Sequence, residues 1–283
     1  MVERNPKQMN DSVQMSSADT GYYVYCVAQL SAAQAITGER VPPSIEENHG
    51  VELIGNGQLA AVVSQVLLSE YSEEGLAGKL TDASWTAIRA MRHEHVVEFF
   101  AKRTSVVPLR FGTIYLNEDR VEEMLATQES QLKTILERLA GSEEWGVNIY
   151  SDRQVLLDNI THVSPRLREM TEEAKKASAG QSYLMQKKIE ALKVDEAKVE
   201  ISRAAEQIEN RLRSFSEGAT RLRILKVETT EHGELKAKFA FLVRKSKFAD
   251  FQIAAETSAR ELHEAGIRIE LTGPWPAYNF ATV

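Results

Sequence analysis

The order of apolar and polar positions in the first half of the chain predicts a compact α+β unit. Continuous apolar runs at residues 22–28 and 59–66 are typical of strands that are covered on both faces. An Asn-Gly pair just before the second run is a strong hairpin signal. Apolar residues at helical spacing over about residues 85–103 predict a long helix. We therefore expect one α+β domain at residues 21–141.

The end of this first half carries two further signals. Residues 106–113 have the composition of a strand, in which Pro108 indicates an edge position or a bulge. Asn117 is a good helix N-cap. The apolar face that follows it predicts one continuous helix, which ends before Gly141.

The second half predicts another α+β domain, at residues 142–283, with its elements in the order β-α-β-β-α-β. The predicted elements are a strand at 145–150, helices over about 152–216, strands at 221–227 and 235–244, a helix at 248–265 and a strand at 267–271. This order is that of a ferredoxin-like domain. Its first crossover is enlarged into a helical hairpin or coiled coil.

A heptad spacing of apolar residues runs along the last helix of this crossover. Its members are Ile201, Ala205, Ile208, Leu212 and Phe215. Such a seam is expected to bury its side chains against another helix. That helix is either the preceding one in the same chain or one in a second molecule, and the spacing leaves both open.

Composition limits the classes of protein to which the chain can belong. Its 283 residues carry a net charge of −7, which argues against a general nucleic-acid binder. No apolar run approaches the roughly 20 residues that a membrane-spanning helix needs, so we expect no membrane contact. The single cysteine, Cys26, excludes an intramolecular disulfide and fits a reducing cytoplasm. Residues 1–20 are polar and predict a disordered leader.

No group of residues in the sequence predicts catalysis, a metal site or a cofactor. His93 and His95 lie two positions apart on a predicted helix, about 200° apart around its axis, so they cannot share one ion. The apolar spacing places His95 in the core and turns His93 towards solvent. Cys26 lies inside an apolar strand, where a thiol is unreactive.

Side-chain alternation predicts opposite characters for the two sides of the sheet in the second domain. Phe239 and Phe241 share a wholly apolar side, so we expect helices to cover them, and we do not expect RNA bases to stack on them. Six basic residues are expected to converge on the opposite side: Arg221, Arg223, Lys236, Lys238, Arg244 and Arg268. That side is either an ordinary solvated face or a basic docking surface for the carboxylates of a partner or of the other domain.

Two segments combine proline, glycine and aromatic residues. The first is Pro108-Leu109-Arg110-Phe111-Gly112, in which Arg110 either fixes the loop or contacts a partner. The second is the tail at residues 273–283, with Gly273, Pro274, Trp275, Pro276, Tyr278 and Phe280. Two prolines around a tryptophan give a segment that loses little entropy when its rings pack. We expect the prolines to end strand pairing and the tail to fold back onto the protein.

Four separated segments, in this order, resemble the GvpL/GvpF gas vesicle proteins. They are residues 22–28, the helix with Arg92-His93-Glu94-His95 that leads into residues 106–112, residues 143–147 and the C-terminal tail. The resemblance covers the chain from about residue 21 to its end, and residues 165–215 contribute little to it.

The resemblance implies a non-enzymatic accessory protein of gas vesicle formation. Such a protein is expected in the cytoplasm, associated with gas vesicles, where it contacts the shell subunit and other accessory proteins in a chaperone-like or nucleating role. A minor structural component of the finished vesicle is the alternative within the same biology. A small-ligand-binding regulatory module is a third candidate, because ferredoxin-like domains host many functions.

Overall fold

The computed structural model describes residues 20–224 and 229–281, and these divide into two compact units. The first unit comprises residues up to 104 together with 108–133, and the second comprises residues 105–107 together with those from 134 onwards. Apart from Thr20, the leader predicted at residues 1–20 lies outside the described residues, as does the end of the strand predicted at 221–227. The domain boundary at residue 141 stays a prediction.

Strands and helices are mixed along the whole described chain, which confirms the α+β class. The strands are β1 (Thr20–Gln29), β2 (Glu52–Asn56), β3 (Leu59–Leu67), β4 (Val106–Pro108), β5 (Ile114–Tyr115), β6 (Ser142–Ser151), β7 (Gly218–Leu222), β8 (Thr229–Thr230), β9 (Gly233–Arg244) and β10 (Ile267–Trp275). The helices are α1 (Leu30–Thr37), α2 (Leu68–Tyr71), α3 (Glu73–Lys79), α4 (Ala83–Ala101), α5 (Glu118–Thr127), α6 (Glu129–Leu139), α7 (Arg153–Val163), α8 (Pro165–Lys176), α9 (Ala179–Arg213) and α10 (Phe248–Leu262). Short 3-10 turns at Lys245–Lys247 and His263–Ala265 flank α10.

An antiparallel sheet with the order β2-β3-β1 organises the first unit, and β5 also pairs with β1. The predicted hairpin is confirmed, because Asn56 pairs with Leu59 across a two-residue turn in which Gly57 has φ 60°. The two predicted apolar runs are the buried strands β1 and β3. Strands covered on both sides thus account for both runs.

Two predictions for the end of the first half are wrong. Residues 106–113 do not form one strand, because the chain leaves β4 and turns at Gly112, whose φ is 82°. The predicted continuous helix breaks at Gln128 (φ −102°, ψ 9°), which gives α5 and α6. Asn117 is confirmed as an N-cap, since its side chain accepts a hydrogen bond from the Arg120 amide at 3.0 Å.

The sheet of the second unit has the order β10-β6-β9-β7, and every pair is antiparallel. The main elements follow the predicted β-α-β-β-α-β order, and the short β8 pairs with β9 as an addition to it. Phe239 and Phe241 are fully buried in a core that includes Phe251 of α10, which confirms that helices cover them. The ferredoxin-like classification remains an interpretation of this order.

Helix α9 has 35 residues, and its two ends pack on different partners. Ile208 and Leu212 belong to the core of the sheet. Ile201 packs instead against a smaller apolar cluster that contains Leu156 of α7 and Leu167 of α8. The predicted seam is therefore buried within its own chain. The expectation that a single partner helix covers it is wrong, because apolar residues at this spacing also fit the surface of a sheet.

Gly233 is expected to be the glycine of the second sheet that tolerates substitution least. Its φ is 102°, and a Cβ at this position would lie 2.4 Å from the carbonyl oxygen of Ser151. We expect Gly233→Ala to lower the free energy of unfolding by more than about 1 kcal/mol. Urea titration measures this loss.

Gly180→Ala is the matched control, because Gly180 is helical and a Cβ there meets no atom within 4 Å. This change is expected to raise the free energy of unfolding by about 0.5–1 kcal/mol. Equal stability of the two variants would contradict the close approach at Gly233.

Candidate interaction surfaces

The pairing of strands in the second sheet shows on which of its two sides each charged residue lies. Lys238 lies opposite Asn148, which in turn lies opposite Glu270, and Arg268 lies opposite Tyr150. Directly paired residues point to the same side of a sheet. These five side chains therefore share the side that faces away from α9 and α10, which we call the outer side.

Two of the six basic residues do not lie on the outer side, and this part of the prediction is wrong. Arg221 is paired with Phe239, and its guanidinium carbon lies 5.6 Å from the centre of that buried ring. Lys236 falls at a register shift, between the partners of Ile149 and Tyr150. Such a bulge reverses the alternation, and Lys236 lies beside residues of α7 and α9 instead.

Two more of the six basic residues lie at the ends of strands. Arg223 is exposed just beyond the end of β7. Arg244 is exposed at the end of β9 and binds Glu217, with Nε 2.6 Å from the carboxylate. The six basic residues therefore do not converge on one surface. Lys238 and Arg268 lie on the outer side, and they share it with one carboxylate.

That carboxylate belongs to Glu270 and is held in place by neighbouring side chains. The amide of Asn148 and the hydroxyl of Tyr150 each donate a hydrogen bond to it at 2.9 Å. These bonds lower the pKa of Glu270, and the charges of His232 and Lys238 act in the same direction. The outer side is therefore a mixed polar surface on which the charge of Lys238 is partly balanced.

The C-terminal tail covers one end of the outer side. Strand β10 continues through Pro274, and Trp275 pairs with Glu144 after a register shift. The prediction that the prolines end strand pairing is wrong, because a bulge accommodates residues that cannot join a regular ladder. Beyond this point the ring of Phe280 approaches Gly218, where a Cβ would lie 3.0 Å from it.

The side chain of Glu144 anchors this tail. Its carboxylate accepts hydrogen bonds from the backbone amide of Asn279 at 2.9 Å and from the side-chain amide at 2.5 Å. Glu144 is only 4 % exposed, and burial raises the pKa of its carboxyl group, while the bonds from Asn279 oppose that shift. Since a buried carboxylate is costly without partners, Glu144 and the tail depend on each other.

The tail folds back as predicted, but its rings differ in exposure. Pro276 and Ala281 are buried, and Tyr278 and Phe280 are partly buried. Trp275 is 50 % exposed, and its indole nitrogen donates to Thr272 Oγ1 at 3.2 Å. The tail therefore adds a large exposed aromatic ring to the protein surface.

In the first unit, His93 is buried and His95 is exposed, the reverse of the prediction. The buried side of α4 consists of His93, Val96, Val97 and Phe100. This side is rotated away from the side that carries His95, and Met91 is exposed as well. Ile88 of the same helix is exposed too. The spacing of apolar residues therefore does not show by itself which side of α4 is covered.

A chain of hydrogen bonds connects His93 to the loop that follows β4. The Gly112 amide donates to the Tyr23 hydroxyl at 3.1 Å, so that hydroxyl is free to donate to His93 Nδ1, 2.9 Å away. The ring of Phe111 lies 5.9 Å from the imidazole. Burial lowers the pKa of His93 to about 4, while a hydrogen bond with the backbone of Leu109 acts in the opposite direction.

Arg110 does not fix this loop. Its side chain is exposed, and no hydrogen bond or ion pair of its guanidinium is found within the described parts of the chain. Its backbone carbonyl accepts hydrogen bonds from Thr113. The loop is held by Tyr23 and His93, and a partner contact for Arg110 stays a prediction.

Residues 20–224 and 229–281 contain neither a cluster of metal ligands nor a membrane-spanning helix. No group of three or more His, Cys, Asp or Glu side chains in these ranges could hold a metal ion. No helix in these ranges has the length and apolar character needed to cross a membrane. Cys26 is fully buried, which raises the pKa of its thiol and leaves it unreactive.

The sequence profile of the family described as gas vesicle synthesis protein GvpL/GvpF matches residues 21–282. The chain belongs to the GvpL/GvpF family. It is 27 % identical over 280 residues to gas vesicle protein L of Streptomyces sp. (strain CB03234), which covers 94 % of this chain and 95 % of that protein. It is 26 % identical over 273 residues to gas vesicle protein F of the same strain, with coverage of 91 % and 98 %.

Solved structures of GvpF proteins share the fold. The crystal structure of GvpF from Anabaena sp. PCC7120 superposes with a TM-score of 0.63 at 17 % identity, and the match covers 93 % of this chain and 97 % of that one. At this identity the likeness shows the fold alone. Membership of the GvpL/GvpF family gives the chain an accessory role in gas vesicles.

Asn279→Ala is expected to loosen the tail. The change removes one of the two hydrogen bonds to a buried carboxylate, so we expect the free energy of unfolding to fall by about 1–3 kcal/mol. Urea titration at neutral pH measures the loss. Asn210→Ala, on an exposed position of α9, is the control and should change stability little. Equal effects of the two variants would mean that the tail does not stabilise the second unit.

His93 is expected to make stability depend on pH. The unfolded chain binds a proton near pH 6.5, whereas the folded protein binds it only near pH 4. Stability is therefore lost as the pH falls through 6.5, by about 2 kcal/mol between pH 7 and pH 5. Urea titrations at both values should show a smaller loss for His93→Gln than for the wild type. The exposed control His95→Gln should keep the wild-type loss, and an unchanged loss in His93→Gln would contradict the burial.

Proposed function

We propose that this member of the GvpL/GvpF family acts without catalysis, as a protein that binds shell subunits or other accessory proteins while gas vesicles assemble. The family's part in gas vesicle synthesis supports the setting. The observation that carries the proposal is the half-exposed ring of Trp275 on a strand at the edge of the second sheet. Exposed tryptophans are over-represented among the residues that dominate binding energy at protein interfaces.

The outer side suits a partner that has an apolar residue for this ring and carboxylates farther along its surface. Lys238 and Arg268 lie on the outer side beyond Trp275, towards the other end of β6, and charges of this kind raise association rates more than they raise affinity. Glu270 partly balances Lys238, so the electrostatic contribution is modest and Trp275 contributes most of the affinity. A partner held here during assembly is protected from premature aggregation, which is the sense in which the role is chaperone-like.

Co-purification with the shell subunit tests this proposal. We expect Trp275→Ala to weaken binding about ten-fold, because a tryptophan anchor contributes at least 1–2 kcal/mol. The double variant Lys238→Glu, Arg268→Glu should weaken it less, with an effect that shrinks at high salt. Arg221→Glu reverses one charge on the other side of the sheet and is the control, with binding expected to stay at the wild-type level.

Variants that fold normally and bind as tightly as the wild type would contradict docking at the outer side. The wild-type protein should leave the vesicle once assembly is complete. Retention of the protein on washed, purified vesicles would instead favour a minor structural component.

A further inference from the structure

A cavity of about 230 Å³ lies in the second unit, on the side of the sheet opposite Trp275. It opens between α7, α9 and the ends of β6 and β9. Its walls are mainly apolar and include Leu156 and Leu157 of α7 and Val194, Ala197 and Ile201 of α9. Leu156 and Ala197 are buried, so the cavity is continuous with the apolar cluster between the helices.

Basic residues outnumber acidic ones among the residues that line the cavity. Arg153, Lys198 and Lys236 are basic, and Glu234 is the single acidic residue of the lining. Lys236 is paired with Glu234 at 2.7 Å, whereas no ion pair of Arg153 occurs among residues 20–224 and 229–281. The local excess of positive charge contrasts with the net charge of −7 for the whole chain.

Lys198 adds to this excess even though it has a partner. It binds Asp195 of the same helix at 3.0 Å, and both side chains are about three-quarters exposed. Exposed pairs of this kind contribute little free energy, so an incoming anion can compete for the ammonium group. The cavity therefore has a cationic opening and an apolar interior.

Ser151 adds a polar group to the inner wall. It lines the cavity, pairs with Glu234 across the sheet and is 2 % exposed. Its hydroxyl has no hydrogen-bond partner in the described parts of the chain. A buried hydroxyl in this state is unfavourable, and a small rotation would bring it to a polar atom of a bound molecule.

We propose that this cavity binds a small amphipathic carboxylate, with its apolar part between α7 and α9 and its carboxylate near Arg153, Lys198 and Lys236. A cavity of about 150 Å³ holds a benzene-sized molecule, so the volume here fits a ligand of roughly nine or ten non-hydrogen atoms. The site is separate from the outer side that carries the proposed protein interaction, and binding at one does not require the other.

Octanoate is the probe for this site. Isothermal titration and amide NMR of the full chain should show saturable binding in the millimolar range, with shifts centred on Ser151, Leu157 and Ile201. Octanol has the same chain without the carboxylate, and octylamine carries the opposite charge. Both should bind at least about five-fold more weakly if the cationic opening contributes as proposed.

Variants separate the cavity from non-specific binding. The double variant Arg153→Glu, Lys198→Glu changes exposed side chains, so it should fold normally and bind octanoate at least about five-fold more weakly. Lys188→Glu, elsewhere on α9 and exposed, is the control and should bind as the wild type does. The proposal is overturned if octanol binds as tightly as octanoate, if the double variant keeps wild-type affinity, or if the wild type shows no saturable binding.

Discussion

The pairing of β6 with β9 on one edge and β10 on the other is the constraint on which the rest of the second unit depends. Each residue of β6 is directed by this ladder to one side of the sheet. Val147 and Ile149 enter the core, and Asn148 and Glu144 face outward. Ser151 lies on the same side as Val147 and Ile149 and reaches the cavity, and the register shift after Ile149 brings Lys236 of β9 to the same place. The contact of Glu144 with the tail, the outer side and the cavity therefore all depend on how β6 pairs with its two neighbours.

Polar groups in both units stabilise segments without regular strand or helix geometry. In the first unit Tyr23 and His93 hold the loop that follows β4, and in the second unit Glu144 holds the tail through Asn279. Each network is costly if only half of its bonds are made. Such networks therefore favour a single arrangement of a segment that apolar packing alone would leave with several.

The sequence predicted most strands and helices because long apolar runs and caps such as Asn117 are local signals. It predicted the burial of Phe239 because the residues that alternate with the phenylalanines along β9 include charged ones. It misplaced Arg221 and Lys236 because strand register and a bulge depend on partners far along the chain. His93 was missed for a related reason, since the Tyr23 hydroxyl that makes its burial possible comes from another strand.

The contact between Glu144 and Asn279 joins residues 135 positions apart. During translation, β6 emerges long before either β10 or the tail exists, and domains form in order from the N-terminal side. Until then β6 has one unpaired edge and a carboxylate without its partner. The second unit can therefore complete its folding only after residue 279 has been synthesised. Protection of the nascent chain from aggregation therefore matters most for this half of the protein.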